Sequence, residues 1–214
     1  MIQTYLSLVL HDTIGLITIL NPIAAASIMV TMVDNTTPST MRSVAFKATM
    51  TVFIASLVTL FGGEFIFRIF GINVMSIKVI GGVILMLIAI NMAYGQSSKS
   101  RHSQAEHDEA QEKEDVSIVP IGIPILFGPG VIATIIVLNN NISGEYSHLV
   151  SYSIVSISLM IAAISIFFTL RYAGAIHKVL GITGMKILTR IMGLVVGAIA
   201  AQFLIGGIKG LWGQ

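Results

Sequence analysis

The chain has 214 residues, of which 55% are hydrophobic and only 10% are charged. Soluble domains carry about 25% charged residues, so this composition excludes a soluble or disordered chain. Twelve Lys and Arg against ten Asp and Glu give a net charge of +2, which excludes a basic nucleic-acid-binding surface. The sequence contains no cysteine, which excludes disulfides, cysteine-ligated zinc and a cysteine nucleophile. A polytopic membrane protein is the class that remains.

Long uncharged runs predict six membrane-spanning helices. A helix needs about 20 apolar residues to cross the hydrocarbon, and each of six runs can hold one such span. The first run lacks a basic segment before it and a small-residue cleavage site after it, so we interpret it as a span and not a signal peptide. Open strands are excluded because lipid leaves their edges unpaired. We therefore predict an all-α membrane protein with helices near 4–32, 45–67, 73–95, 117–139, 147–170 and 187–210.

One polar segment divides the chain into two halves. Residues 96–115 hold six of the ten acidic residues, together with His102 and His107. Nothing in the spacing fixes a metal geometry, so we predict a solvated loop without a metal site. The predicted organisation is a first three-helix unit at 1–95, a polar loop at 96–116 and a second three-helix unit at 117–214.

The distribution of Lys and Arg predicts the orientation. Six spans place both termini on one side, and nine basic residues fall on the opposite side against three on the side of the termini. Because cytoplasmic loops carry the excess of Lys and Arg, we predict that both termini lie outside. The nine are Arg42, Lys47, Lys99, Arg101, Lys113, Arg171, Lys178, Lys186 and Arg190, and the three are Arg68, Lys78 and Lys209.

Short matches recur in the same order in both halves. The segment 70–75 matches 180–185, and the segment 78–82 matches 190–194. Pro22 with the run after it matches Pro129 with its own following run. Each half has three spans, an odd number, so the second half enters the membrane from the opposite side. The sequence therefore predicts a 3+3 inverted repeat, which is typical of secondary transporters.

Helix breakers fall at corresponding places in helices 1 and 4. Asn21-Pro22 lies within the first predicted span, and Gly128-Pro129-Gly130 lies within the fourth. Proline removes an N–H and clashes with the preceding turn, so we predict that helices 1 and 4 are broken. A helix that restarts after a break presents free N–H groups to a carboxylate, and a helix that ends there presents carbonyls to an ammonium group. A small amino acid fits both ends.

Three further polar side chains are candidates for this site. Ser27 and Thr134 each follow a break-point proline by five residues, where a hydroxyl bonds either a ligand or its own preceding turn. Asp12 precedes the first break, and we consider proton coupling and a contact with outer headgroups as its alternative roles. We expect Glu64 to pair with Arg68 one turn away. We also expect 193–197 to permit close helix contact and 139–141 to form an external turn.

At these residues the chain resembles the MarC family of bacterial and archaeal inner-membrane proteins, which includes the SnatA-type transporters of small neutral amino acids. The resemblance is carried by Asn21-Pro22, by 70–72 with 81–82, and by the proline-rich run 118–124 leading to 128–130. Segments 190–193 and 207–208 also match. The resemblance implies six spans, periplasmic termini and substrate bound at Asn21, Pro22, Gly128, Pro129 and Gly130.

The expected function is secondary transport of small neutral amino acids of the glycine, alanine and serine type, coupled to protons or sodium. The alternative is a membrane channel or a structural membrane protein. No H-E-x-x-H motif, G-x-S-x-G motif or intramembrane carboxylate pair is present, so we expect no enzyme activity and no cofactor. The expected partners are the substrate and the lipid bilayer, with homo-oligomerisation left open and nucleic acid excluded.

Overall fold

All regular structure in the described residues, 2–33, 37–95 and 116–213 of the computed structural model, is helical. Four stretches are long and apolar enough to cross a membrane as α3, α4, α7 and α8, and a fifth is Gln3–Met32, which combines α1 and α2. The bent pair α5–α6 makes a sixth if it counts as one span. In chain order the helices are α1 (Ile2–Leu20), α2 (Pro22–Met32), α3 (Pro38–Ile69), α4 (Val74–Tyr94), α5 (Ser117–Leu126), α6 (Pro129–Ser143), α7 (His148–Arg171) and α8 (Ala173–Trp212).

Two helices begin earlier than predicted. α3 starts at Pro38, where the Thr37 hydroxyl accepts a hydrogen bond from the Thr40 N–H at 3.3 Å and caps the helix. Proline suits the first helical position because its missing N–H would be unpaired there in any case. α8 starts at Ala173 and is interrupted at Gly181, which has a φ of 62°. The uncharged runs therefore located the spans, whereas the helices continue past them into charged sequence.

The expected external turn at 139–141 is wrong. These residues lie in the last turns of α6, and the chain leaves the helix at Gly144. Asn139 is 3% exposed, and its backbone carbonyl accepts a hydrogen bond from the Ser151 hydroxyl of α7 at 2.7 Å. The Asn141 carboxamide oxygen accepts a hydrogen bond from the Lys78 amine of α4 at 3.2 Å. Asn139 and Asn141 thus join α6 to neighbouring helices.

Glycines let α4 and α8 pack backbone to backbone. A Cβ on Gly82 of α4 would lie 3.0 Å from the Ala200 carbonyl oxygen of α8, and a Cβ on Gly193 of α8 would lie 3.0 Å from that of Ala89. A larger residue at either position would force the helices apart. The close contact expected at 193–197 is therefore confirmed.

α7 lies at the centre of the largest apolar core. It packs against α1, α2, α3 and α6, and Val155, Ala162, Ile166 and Leu170 on its inner face are completely buried. The Ser158 hydroxyl donates to the Val9 carbonyl of α1 at 3.2 Å. This core holds α1 and α3 against α7. Helices α2 and α6 lie between the pair α3–α7 and the pair α4–α8, since each contacts both pairs.

Several helix contacts of the two halves correspond, whereas those of α6 with α7 and of α1 with α8 have no counterpart of similar extent among the described residues. α2 packs against α7 and α8 of the other half, and α6 packs against α3 and α4. Likewise α1 contacts α7 and α6, whereas α5 contacts α3 and α2. Exchanging α1–α4 with α5–α8 converts each of these contacts into another member of the same set.

Candidate functional site: two proline-led helix starts

The helical backbone is interrupted at a single residue, Asn21, between α1 and α2. Asn21 has φ 45° and ψ 62°, the left-handed region, which asparagine tolerates better than other residues with a side chain. Its side-chain oxygen accepts from the Ala24 N–H at 3.4 Å, and its amide nitrogen lies 3.7 Å from the Met92 sulfur of α4. Pro22 occupies the first position of α2. The proline therefore starts a helix here instead of kinking one.

A second helix start lies at Gly128, between α5 and α6. The two helices form a bend of 58°. Within α5 the residues Val119 and Ile123 have extended backbone, and each precedes a proline in a cis peptide bond. Gly128 caps α6 without a side-chain hydrogen bond, and its carbonyl accepts from the N–H groups of Val131 and Ile132. The start of α6 thus lacks the side-chain cap that Asn21 provides at α2.

The tight packing after Gly128 requires glycine at position 130. Gly130 is buried, and a Cβ there would lie 2.8 Å from the Leu85 side chain of α4. Pro129 is exposed and lines an apolar groove of about 370 Å³ between the end of α3, α4 and α6. The start of α6 therefore packs closely on α4 on the side of Gly130 and borders an apolar groove at Pro129.

The other predicted site residues divide into two groups. Pro22 is buried, and Ser27 is partly buried with no hydrogen-bond partner among the described residues. The Thr134 hydroxyl is buried and donates to the Gly130 carbonyl at 2.8 Å. Of the two roles left open for these hydroxyls, Thr134 takes the bond to its own preceding turn, and Ser27 has its hydroxyl unused.

Asp12 is buried inside the protein. It is 3% exposed, and its Oδ2 is buried without a hydrogen-bond partner among the described residues. The adjacent Thr13 hydroxyl is in the same condition. A buried carboxyl group without a fixed partner in a membrane-spanning segment is costly and marks a functional candidate. The expected pair of Glu64 and Arg68 is confirmed at 2.9 Å.

Sequence reasoning missed one contact of the first helix start, the approach of Met92 to Asn21. Nothing in the local pattern around Met92 distinguishes it from other apolar residues of α4. Met92 is placed there by the close packing of α4 on α8, since a Cβ on Gly193 would lie 2.8 Å from the Met92 Cβ.

The polar loop 96–116 predicted from the sequence lies outside the described residues except for Val116.

The long apolar helices and their exposed apolar surfaces define the chain as a multi-pass α-helical membrane protein. The sequence profile described as "MarC family integral membrane protein" matches residues 6–212. The chain therefore belongs to the MarC family, as its resemblance implied.

Relatives of similar length occur in bacteria and archaea. The UPF0056 membrane protein YvbG of Bacillus subtilis is 32% identical over 96% of both chains. The UPF0056 membrane protein YhcE of Escherichia coli is 29% identical, with 99% of this chain and 98% of the relative covered. A UPF0056 membrane protein of Pyrococcus abyssi is 32% identical over 94% of both. No solved structure matches the chain.

Proposed function

We propose that the chain is a secondary transporter of small neutral amino acids, such as glycine, alanine and serine, with the substrate held where α2 and α6 begin. The observation that carries the proposal is the pair of proline-led helix starts, at Pro22 and Pro129, in corresponding places of the two halves. Discontinuous helices at matching positions are the feature by which inverted-repeat transporters bind substrate.

The helix contacts support the inverted repeat in this proposal. α1 contacts α6 and α2 contacts α5, so the two interrupted segments lie beside each other. The contacts of α2 with α7 and α8 likewise correspond to those of α6 with α3 and α4. Two halves with interchangeable contacts can adopt two related arrangements, one opening to each side, which is what alternating access requires.

The unequal capping of the two helix starts suggests how a zwitterion is oriented. The first turn of α6 has no side-chain cap, and the Val131 and Ile132 N–H groups bond to the Gly128 carbonyl. The Gly130 N–H and the positive dipole end are therefore what this turn offers to the substrate carboxylate. At α2 the Asn21 side chain already occupies one N–H. The last carbonyls of α1 and the unused Ser27 hydroxyl then suit the ammonium group.

Asp12 is our candidate for coupling. A carboxyl group that is buried in a membrane-spanning segment and lacks a fixed partner can bind a proton or a sodium ion reversibly. We expect Asp12→Asn to retain amino acid binding and exchange but to lose the response of net transport to an ion gradient. A variant that still accumulates substrate in a gradient would remove Asp12 from the coupling mechanism.

Exchange in proteoliposomes tests the transport proposal. We expect preloaded glycine or alanine to accelerate uptake of the labelled amino acid, with saturation, because a carrier moves substrate through a binding site. Gly130→Leu should abolish exchange, whereas Gly62→Leu, at a glycine with open space around it, should not. Flat uptake of glycine, alanine and serine, with and without a gradient, would refute the proposal, and flux without saturation would indicate a channel. The same vesicles, oriented by protease digestion, test the proposed outward position of both termini in an inner membrane.

A further inference from the structure

Gln202 of α8 is an exposed carboxamide in an apolar surface. It has no hydrogen-bond partner among the described residues. Its neighbours on the same face are Val195 and Ile205, which are 40% and 55% exposed. The face lies away from α4, because the α8 residues that contact α4, such as Gly193 and Gly207, are on the buried side.

The packing of α8 on α4 places Gln202 near the middle of the membrane. Gln202 lies between Ala200 and Leu204, and backbone atoms of both would lie within 3.0 Å of a Cβ on Gly82. Gly82 is near the centre of α4, a helix of 21 residues. At a rise of 1.5 Å per residue this helix is about 30 Å long, which matches the hydrocarbon thickness. Gln202 therefore lies at the depth where lipid offers no hydrogen bonds.

The exposed residues of this face have the spacing of a helix-packing seam. Successive members are separated alternately by four and three residues, the repeat that keeps one helix facing another in a left-handed pair. Ala198, the small residue next to Gln202 in the series, permits close approach. The seam ends before the basic residue Lys209 in the last turn of α8. Its members are Ile191, Val195, Ala198, Gln202 and Ile205, all exposed, and Lys209 lies beyond the interface.

We propose that this seam is the interface of a homodimer in which α8 packs against α8 of a second copy and the two Gln202 carboxamides bond each other. Copies inserted in the same orientation are related by a two-fold axis along the membrane normal, so each residue of the seam meets its own counterpart. A carboxamide is both donor and acceptor and can therefore satisfy an identical group. A second copy of the chain thus supplies the hydrogen bonds that lipid cannot supply and that an apolar partner would also lack.

Cysteine cross-linking in membranes tests the interface, because the natural chain has no cysteine. We expect oxidation of an Ala198→Cys variant to yield a covalent species of twice the 22.9 kDa chain mass. The matched control is Leu87→Cys on α4. Leu87 is 55% exposed and lies near Ala89, which packs against Gly197, so it is at the same depth as Ala198 on a different face. Equal cross-linking of both variants, or none at position 198, would overturn the proposal.

A second measurement examines the role of the carboxamide. Interhelical hydrogen bonds in membranes contribute about 0.6–2 kcal/mol, so Gln202→Leu should raise the dimer dissociation constant about 3- to 30-fold in a dilution series by energy transfer. The substitution adds no bulk and increases apolarity, so the monomer should fold. Asn91→Leu, which removes an exposed carboxamide from α4, should leave association unchanged. Association of Gln202→Leu equal to that of the wild type would contradict the assigned role.

Discussion

The left-handed backbone at Asn21 predicts a specific order of stability among its variants. Asn21→Ala loses the cap at the Ala24 N–H and places a β-carbon at φ 45°. A left-handed conformation costs an ordinary residue about 1–2 kcal/mol, and loss of the cap costs about 1 kcal/mol. The expected total is about 2–3 kcal/mol. Asn21→Gly loses the same cap at a cost of only a few tenths of a kcal/mol and adopts the left-handed region freely.

Thermal unfolding of the purified protein in detergent measures this difference. At about 2–4 °C per kcal/mol for a chain of this size, Asn21→Ala should unfold about 4–12 °C below the wild type, and Asn21→Gly within about 1–2 °C of it. Equal midpoints for the two variants would refute the left-handed conformation at the start of α2. If Asn21→Gly keeps its stability, its amino acid affinity then reports on the carboxamide alone.

Two further stability predictions concern the helix contacts. Gly82→Ala should destabilise the protein by about 1–3 kcal/mol through overpacking against the α8 backbone. Gly62→Ala, with open space at its Cβ, should stabilise the protein by up to about 1 kcal/mol because alanine favours the helix. Denaturation midpoints in the reverse order would contradict the packing. Ser151→Ala should cost about 1–3 kcal/mol because it leaves the buried oxygens of Asn139 without their donor. Ser153→Ala, which removes an exposed hydroxyl, should unfold with the wild type, and equal loss in both variants would show that the buried bond contributes nothing.

The spans could be predicted because charge is excluded from the hydrocarbon. α4 (Val74–Tyr94) and α7 (His148–Arg171) lie within one residue of their predicted bounds, since charged or polar turns flank both. Pro22 and Pro129 marked the places where α2 and α6 begin, because proline removes the N–H that a continuous helix needs.

The remaining features depend on contacts between distant parts of the chain. The early starts of α3 and α8 lie in charged sequence, which hydropathy does not distinguish from loop. The buried bond of Ser151 to Asn139 forms because α7 packs on α6, and three successive asparagines alone are typical of an exposed turn. Likewise, the sequence alone does not give the depth of Gln202 in the membrane, which follows from the packing of α8 against Gly82 of α4.

Amino acid binding at the start of α6 is the central claim, and ligand-dependent thermal stabilisation measures it most directly. We predict that glycine and alanine raise the unfolding midpoint of the wild type and of Gly62→Leu but not of Gly130→Leu. A ligand at 100 times its dissociation constant stabilises the folded state by about 2.7 kcal/mol, which is readily detected. Absence of a shift with every small neutral amino acid, or an undiminished shift in Gly130→Leu, would contradict the account.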